Sequence, residues 1–366
     1  MTASGPVALV HDYLTQRGGA ERVVLSLSEA FPGAPIHTSL YDPGGTFPEF
    51  AALDVRTLPL DRIPALRTRH RLALPLLAPA FTRLTVEAEV VICSSSGWAH
   101  GAHVTGRKVV YCHTPARWLY QTDRYLDGSS RATSAALALM APSLRRWDRK
   151  AAATAHRYLV NSTAVRQRVG DLYGIDAEVV PPAVEVDPEG AQTEAPGIEP
   201  GFLLCVSRLL AYKNVQEVTE AFRFLPGHRL VVVGSGPLAD PIRSTAPTNV
   251  TVMGRVDDAT LRWLYRSCSG LVAASHEDFG LTPVEAAIFG KPTAALRWGG
   301  FLDTILEGTT GVFFDRPEPR TIADAIEALT ASRWSAEVLE DHAETYSRAR
   351  FARRLDEVVA EERGRS

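Results

Sequence analysis

Ser275-His-Glu-Asp-Phe-Gly-Leu-Thr-Pro-Val-Glu-Ala-Ala-Ile-Phe-Gly290 is the stretch from which the fold reads outward. The apolar run before it, Gly270-Leu-Val-Ala-Ala274, has the length and continuity of a buried strand. Glu277 to Leu281 then read as a loop leading into a short helix. Thr282 suits its N-cap, Pro283 its first position, and Gly290 the place just past its end. Strand, loop and helix in that order bring backbone N–H groups and the positive end of a helix to the carboxyl edge of a strand, which makes an anion site, most naturally for phosphate. Glu277 and Glu285 bracket it. Glu285, three residues after Thr282, also fits a capping box, and Glu277 with Asp278 also fits a solvated acidic loop. A carboxylate aimed at phosphate would be repelled, so Glu277 suits neutral hydroxyls beside the anion. Amides for phosphate and a carboxylate for hydroxyls describe a nucleotide-sugar site.

The chain has 366 residues, of which 45% are hydrophobic, enough for two domains that each bury a core. A net charge of −3 argues against binding nucleic acid through bulk charge. Arginine far outnumbers lysine, which occurs only at Lys108, Lys150, Lys213 and Lys291, a bias that reads as genomic composition. Cys93, Cys112, Cys205 and Cys268 lie in or beside apolar runs without C-x-x-C spacing and read as buried free thiols of a reducing compartment, not a metal site. The first residues lack a basic n-region and a long apolar core, so no signal peptide is expected. No apolar run reaches the roughly 20 residues of a membrane span, and a cytoplasmic protein is expected.

Away from the decisive stretch the same βα rhythm recurs. Pro6-Val-Ala-Leu-Val10 reads as a strand ending at His11 and Asp12. Thr15-Gln-Arg-Gly-Gly19 and a helical pattern from Ala20 to about Phe31 follow, the strand–glycine loop–helix order that approaches phosphates. Residues 62–84 set Arg62, Arg67, Arg69, His70, Arg71 and Arg83 around an apolar run, which suits either an anionic membrane surface or a solvated basic face over a buried stripe; two prolines limit any helix there. Strands follow at Glu89–Cys93, ending in Ser94-Ser-Ser-Gly97, and at Lys108–Cys112, ending in His113-Thr-Pro115. Ligands of open α/β sheets gather at such ends, which favours a functional His113 over a hydrogen-bonded structural histidine. Arg117, Trp118 and Tyr120 line an acceptor groove or simply pack. Residues 133–157 read as helix, Tyr158–Asn161 as strand, and Ser162 as the cap of the next helix.

The stretch 181–201 is rich in Pro, Glu and Gly and reads as a linker. Beyond it strands resume at 201–206, 229–233, 250–253, 270–274 and 292–296. Arg208 and Lys213 follow the first of these, two cations that can neutralise a diphosphate or are simply a pair of surface cations. Gly234-Ser-Gly-Pro-Leu-Ala239 fits a dinucleotide fingerprint, but it follows a second strand and Pro241 interrupts the expected helix, so a dehydrogenase reading is rejected.

Together these residues resemble the family 4 retaining glycosyltransferases of GT-B fold. Within them they look like the bacterial GDP-mannose-dependent mannosyltransferases of lipid-linked oligosaccharide and exopolysaccharide synthesis. The resemblance is carried by Val10-His-Asp-Tyr-Leu-Thr15 with Arg17-Gly-Gly-Ala-Glu21, Tyr111-Cys-His-Thr-Pro115 with Arg117, Val206-Ser-Arg-Leu209 with Lys213, Val232-Val-Gly-Ser-Gly-Pro237, and Glu277 through Glu285, and spans about residues 7–315. It implies an α/β fold of two Rossmann-like parallel-sheet domains facing across a cleft. The expected domains are 1–185 and 201–345 around a linker at 186–200, with a final helix near 346–366 crossing back to the first domain.

By the same resemblance Glu277 binds hydroxyls of the donor sugar and Glu285 the nucleotide ribose. Arg208 and Lys213 hold the diphosphate with the amides of Phe279, Gly280, Leu281 and Thr282. Gly18 and Gly19 close on the diphosphate, His113 meets the sugar near the reacting carbon, and the loop with Arg255 and Val256 flanks the base. Two departures stand out: His276 before the first glutamate has no assigned role, and Asp278 stands where many relatives have Pro or Gly, which leaves the role of the following amides intact. No Asp-x-Asp occurs, so no metal or other cofactor is expected beyond the nucleotide-sugar co-substrate. The expected partners are that donor, a lipid-linked or saccharide acceptor and an anionic membrane surface met through 62–84; no nucleic acid is expected. Two alternatives are a same-fold transferase using UDP-glucose on a small soluble acceptor, and a non-catalytic nucleotide-sugar-binding scaffold.

Overall fold

The computed structural model describes residues 6–68, 73–121, 131–184 and 186–365. Arg69, His70 and Arg71 of the basic segment lie outside them. The chain divides into two units, one of residues up to Ala183 together with those from Arg348 onward, the other from Val184 to Ser347.

Each unit is built on an all-parallel sheet. In the first the strands are β1 (Val7–His11), β2 (Ile36–Thr38), β3 (Val55–Thr57), β4 (Val90–Ser95), β5 (Arg107–Cys112), β6 (Arg157–Val160) and β7 (Glu178–Val179), in the order β3-β2-β1-β4-β5-β6-β7. In the second they are β8 (Leu203–Val206), β9 (Leu230–Val233), β10 (Val250–Gly254), β11 (Gly270–Ala273), β12 (Thr293–Leu296) and β13 (Gly311–Phe314), in the order β10-β9-β8-β11-β12-β13. Helices cover both faces, so the central strands are apolar without alternation; β1 and β4 are buried at every position. In both sheets the winding direction reverses beside the unit's first strand, between β1 and β4 and between β8 and β11. A crevice opens at the carboxyl ends of such a pair, because the connections leave in opposite directions.

Several local expectations change. Strands β2, β3, β7 and β13 escape the sequence pattern, being two to four residues long. The helical stretch from Ser335 is two helices, Ala336–Glu344 and Arg348–Arg363. The helix read at 133–157 runs Arg131–Ala152, with Pro142 inside it. Pro241 does not interrupt a helix; it is the third residue of Ala239–Thr245, where its missing N–H has no intrahelical partner to lose. The stretch read as a linker is fastened to the second unit. Ala195 is fully buried beside Phe202 and Tyr265, and Arg262 and Arg266 donate to the carbonyls of Ala191 and Pro188 at 2.8 and 2.7 Å.

The final helix belongs to the first unit. Phe351, Leu355, Val358 and Val359 share a core with Leu9, Leu27, Ile92 and Tyr111. The buried carboxylate of Glu362 accepts two hydrogen bonds from Arg107, at 2.9 and 2.6 Å. Glu178 lies between Arg157 and Arg354. Burial works against the charged form of Glu178, but the guanidiniums of Arg354 and Arg157 outweigh it and hold the carboxyl below its usual 4.5. Such a depressed group contributes stability that is complete above the unfolded value and is lost as pH falls through the folded one. Thermal unfolding between about pH 7 and about pH 3 is therefore expected to show Glu178→Gln less stable than the parent at neutral pH, by up to about 1 kcal/mol. The two curves should converge in acid; a constant offset down to the acid end would contradict this account.

Candidate functional site

The carboxyl ends of β8 and β11 carry the residues that the sequence singles out in the second unit. After β8 the chain runs through Arg208 to a single 3₁₀ turn, Ala211–Lys213. Asn214 then takes a left-handed conformation at φ 53°, the one non-glycine residue with positive φ among the described residues. Its side chain explains the tolerance: Asn214 Nδ2 donates to the carbonyl of Ala274 at 2.8 Å and ties the loop after β8 to the end of β11. His276 N donates to Tyr212 O at 3.4 Å, a second stitch between the same two loops.

Lys213 is buried and pairs with Glu277. Ser275 Oγ donates at 3.1 Å to the same oxygen, Oε1, that faces the ammonium. The ammonium also lies 4.9 Å from the centroid of the Tyr212 ring. Arg208 is exposed and donates to the Tyr212 hydroxyl at 3.1 Å. Two cations, one carboxylate and one loop backbone thus meet at the switch point of this sheet.

The loop itself rests on glycine. Gly280 at φ 93° is the N-cap of Leu281–Ile288, so Thr282 and Pro283 are its second and third residues, not its cap and first position. The capping-box alternative for Glu285 falls with that shift: Glu285 accepts from the Tyr265 hydroxyl at 2.6 Å. Burial, with Glu285 beside it, pushes the Tyr265 hydroxyl well up, so it remains a donor. Asp278 is buried, not solvated, and Phe279 packs edge-on against Tyr346, ring centroids 5.8 Å apart. Beneath the loop lies Trp298-Gly-Gly300, which sequence reasoning passed over. A Cβ on Gly299 would sit 2.2 Å from Glu277 O and one on Gly300 2.2 Å from Phe279 O. His276, unassigned from sequence, packs edge-on against Trp298 at 4.9 Å. The Gly234–Ala239 loop has a comparable use: a Cβ on Gly234 would lie 1.8 Å from Ser207 O, so this glycine lets the β9 loop support the chain that carries Arg208. Arg255, exposed, and Val256 follow β10, two strands from β8.

In the first unit the corresponding ends are those of β1, β4 and β5. The buried Asp12 carboxylate accepts from the amides of Ser96, Trp98 and Ala99 at 2.7, 3.1 and 2.6 Å and fixes the turn after β4. Ser94 Oγ lies 3.0 Å from His11 Nδ1 and 2.8 Å from His113 Nε2, an arrangement that a serine run in the sequence did not disclose. Gly18 and Gly19 begin the helix Gly19–Ala30, with buried Glu21 underneath; a Cβ on Gly18 would lie 2.6 Å from Glu21 Oε2. Desolvation pushes the Glu21 carboxyl up. Trp118 is buried and stacked on Trp98 at 4.5 Å, and the Tyr120 hydroxyl donates to Asp148 at 2.7 Å; Arg117 begins the short helix Arg117–Tyr120. All four cysteines are buried thiols outside any disulfide, and burial pushes those of Cys93, Cys205 and Cys268 up to about 12.

Residues 17–188 match the family described as Glycosyltransferase Family 4, and residues 191–350 match Glycosyl transferases group 1. A D-inositol 3-phosphate glycosyltransferase of Segniliparus rotundus is 28% identical over 211 residues, 51% of this chain and 44% of that protein. The chain therefore spans less than half the length of that relative. The human alpha-1,3/1,6-mannosyltransferase ALG2 is 26% identical over 359 residues, 85% of this chain and 84% of its own. Among solved structures, Anabaena HepE in complex with UDP-glucose superposes with a TM-score of 0.70 at 17% identity, covering 97% of this chain and 99% of that one. That likeness extends through both sheets and identifies the fold.

The Lys213–Glu277 pair makes a measurable claim. Removing the carboxylate leaves the buried Lys213 ammonium uncompensated, whereas removing both partners does not. Glu277→Ala is expected to lower stability by about 3 kcal/mol, Lys213→Ala by less because Glu277 is partly exposed, and the double variant by clearly less than the sum of the two, with a coupling of about 1–3 kcal/mol. Additive losses in denaturant unfolding would show that the two side chains act independently.

Proposed function

We propose that this chain, which belongs with the glycosyltransferases and has their GT-B fold, is a retaining enzyme. In this reading it moves mannose from GDP-mannose to a lipid-linked oligosaccharide, polysaccharide or glycolipid acceptor without a metal. The observation that carries it is the convergence of Arg208, Lys213 and the loop Glu277–Thr282 at the switch point of the second sheet. The support for mannose is the 26% identity with the human mannosyltransferase across most of both chains.

Transfer from a nucleotide-diphosphate sugar concentrates negative charge on the departing diphosphate while the anomeric carbon becomes cationic. Fixed donors aimed at that developing charge stabilise it with little reorganisation. Arg208, Lys213 and the first amides of Leu281–Ile288 are such donors. Glu277, already organised by Lys213 and Ser275, would accept from sugar hydroxyls, and Glu285, held by Tyr265, from the ribose. Gly18 and Gly19 would approach the diphosphate, Arg255 and Val256 the base, and His113 the sugar. Attack on the face that the leaving group vacates, with a donor phosphate oxygen taking the acceptor's proton, would retain configuration.

The acceptor reading gains from the surface of the first unit. Ile63 and Leu76 are 47% and 42% exposed in the segment that also carries Arg62, Arg67 and Arg83. An apolar hollow of about 410 Å³ lies between Leu74–Arg83 and Arg131–Ala152, lined by Ala78, Pro79, Arg83, Leu144 and Trp147. No helix among the described residues is long and apolar enough to cross a membrane. Arginines around exposed aliphatic side chains suit peripheral attachment to anionic lipid.

Thermal shift with a panel of donors is the first test, since a ligand at a hundredfold excess over its Kd stabilises by about 2.7 kcal/mol. GDP-mannose is expected to give the largest shift and nucleotide release; release from UDP-glucose alone would overturn the donor assignment, and binding without turnover on any acceptor would favour a scaffold. Glu277→Gln is expected to keep nucleotide binding while losing at least about a hundredfold in transfer.

Flotation with vesicles is the second test. The protein should float with vesicles containing anionic lipid, and replacing Arg62, Arg67 and Arg83 by Glu should abolish this; equal flotation with neutral vesicles would remove the membrane from the proposal.

A further inference from the structure

We propose that His11 and Ser94 set the tautomer of His113, leaving its ring proton on Nδ1, so that His113 serves as a neutral N–H donor and not as a base. The use made of that proton rests on the reading above, in which His113 meets the donor sugar. The tautomer itself follows from donors and acceptors around one hydroxyl.

His11 Nδ1 lies 3.1 Å from the carbonyl oxygen of Ser94 and 3.0 Å from Ser94 Oγ. A carbonyl only accepts, so His11 Nδ1 carries a proton and shares it between the two oxygens. Ser94 Oγ then receives from His11, and its own hydrogen remains to be donated. The acceptor it meets is His113 Nε2 at 2.8 Å. An accepting Nε2 is unprotonated, and a neutral imidazole then holds its one hydrogen at Nδ1.

The backbone makes this chain of three side chains rigid. His11 pairs with Ser94 across β1 and β4, and Ser94 with Tyr111 across β4 and β5. His113 follows directly: its amide donates to Ser95 O at 2.9 Å, and Asn161 Nδ2 donates to its carbonyl at 3.0 Å. His11, Ser94 and His113 are all buried, so bulk water does not compete for these bonds. His11 and Ser94 are thus positioning residues: they act on the reaction through the imidazole of His113.

The experiment that tests this is a two-bond proton–nitrogen correlation spectrum of the full chain labelled with ¹⁵N-histidine, recorded without ligand near neutral pH. The signals of His113 are identified by their loss in His113→Asn. They should show a protonated Nδ1 and a bare Nε2; the reverse pattern overturns the proposal. Ser94→Ala, if thermal unfolding shows it folded, should shift His113 toward the other tautomer or a mixture, while Ser94→Thr, which keeps the hydroxyl, should preserve the parent pattern. An unchanged His113 in folded Ser94→Ala would remove Ser94 from the account.

Kinetics with GDP-mannose as the probe give a second readout. An asparagine amide overlies Nδ1 of histidine and a glutamine amide overlies Nε2. His113→Asn is therefore expected to release nucleotide at least about tenfold faster than His113→Gln at similar KM; equal rates, or the opposite order, would overturn the donor role. If the parent protein leaves GDP-mannose untouched, the donor assignment fails, and the spectra still decide the tautomer.

Discussion

A buried ammonium needs a carboxylate, and the site in the second unit is organised around that need. Lys213 sits on a one-turn helix whose exit requires the left-handed Asn214. Asn214 is held by its bond to Ala274, the residue at which β11 gives way to the loop bearing Glu277. The charge pair and the backbone stitch therefore fix the same two loops against each other. Apart from that single turn, neither loop has regular structure of its own to hold it, and desolvation of Lys213 makes the pair costly to separate. The result is a pair of loops whose geometry, with Arg208 exposed beside them, is fixed before any anion arrives, the condition under which electrostatic stabilisation needs least reorganisation.

The second constraint is space. Two pairs of peptide segments, 207–209 with 234–236 and 277–279 with 299–300, pack so closely that side chains are excluded at Gly234, Gly299 and Gly300. A glycine at these positions is there for the approach of a neighbouring backbone, a requirement that binds whatever the turn type. The Gly234 loop shows how a phosphate-binding fingerprint can arise from packing: its first glycine faces the Ser207 carbonyl, not an open crevice.

Much of this was legible in the sequence. The two parallel sheets announce themselves through continuous apolar runs separated by helical stretches, because strands covered on both faces need no alternation. The placement of Arg208, Lys213, Glu277 and His113 also followed, since a residue just past an interior strand of such a sheet has little choice of location. What stayed hidden was of two kinds. Strands such as Ile36–Thr38 are too short to show a period. Contacts between residues distant in sequence, such as Ser94 with His113 and Glu285 with Tyr265, leave no local pattern. The start of the Leu281–Ile288 helix was misplaced for a related reason: Thr282 and Pro283 make a good textual beginning, but the left-handed turn at Gly280, where Phe301 leaves no room for a side chain, starts the helix earlier.

Each unit furnishes the crevice of its own sheet differently. In the second, the carboxyl ends of the switch-point strands hold formal charges of both signs, with aromatic and hydroxyl groups as supports. In the first, the matching ends hold imidazoles and hydroxyls linked to backbone carbonyls, and the carboxylate of Asp12 is consumed by three amides. Charged groups act over several ångströms and tolerate small displacements of their partner, whereas neutral hydrogen bonds fade within a fraction of an ångström and beyond narrow angles. In the proposed enzyme, charge in the second unit would serve affinity and oriented neutral donors in the first would serve alignment. Substitutions among the cations would then be felt in how firmly an anion is held, and substitutions around His113 in how well a held group is aimed.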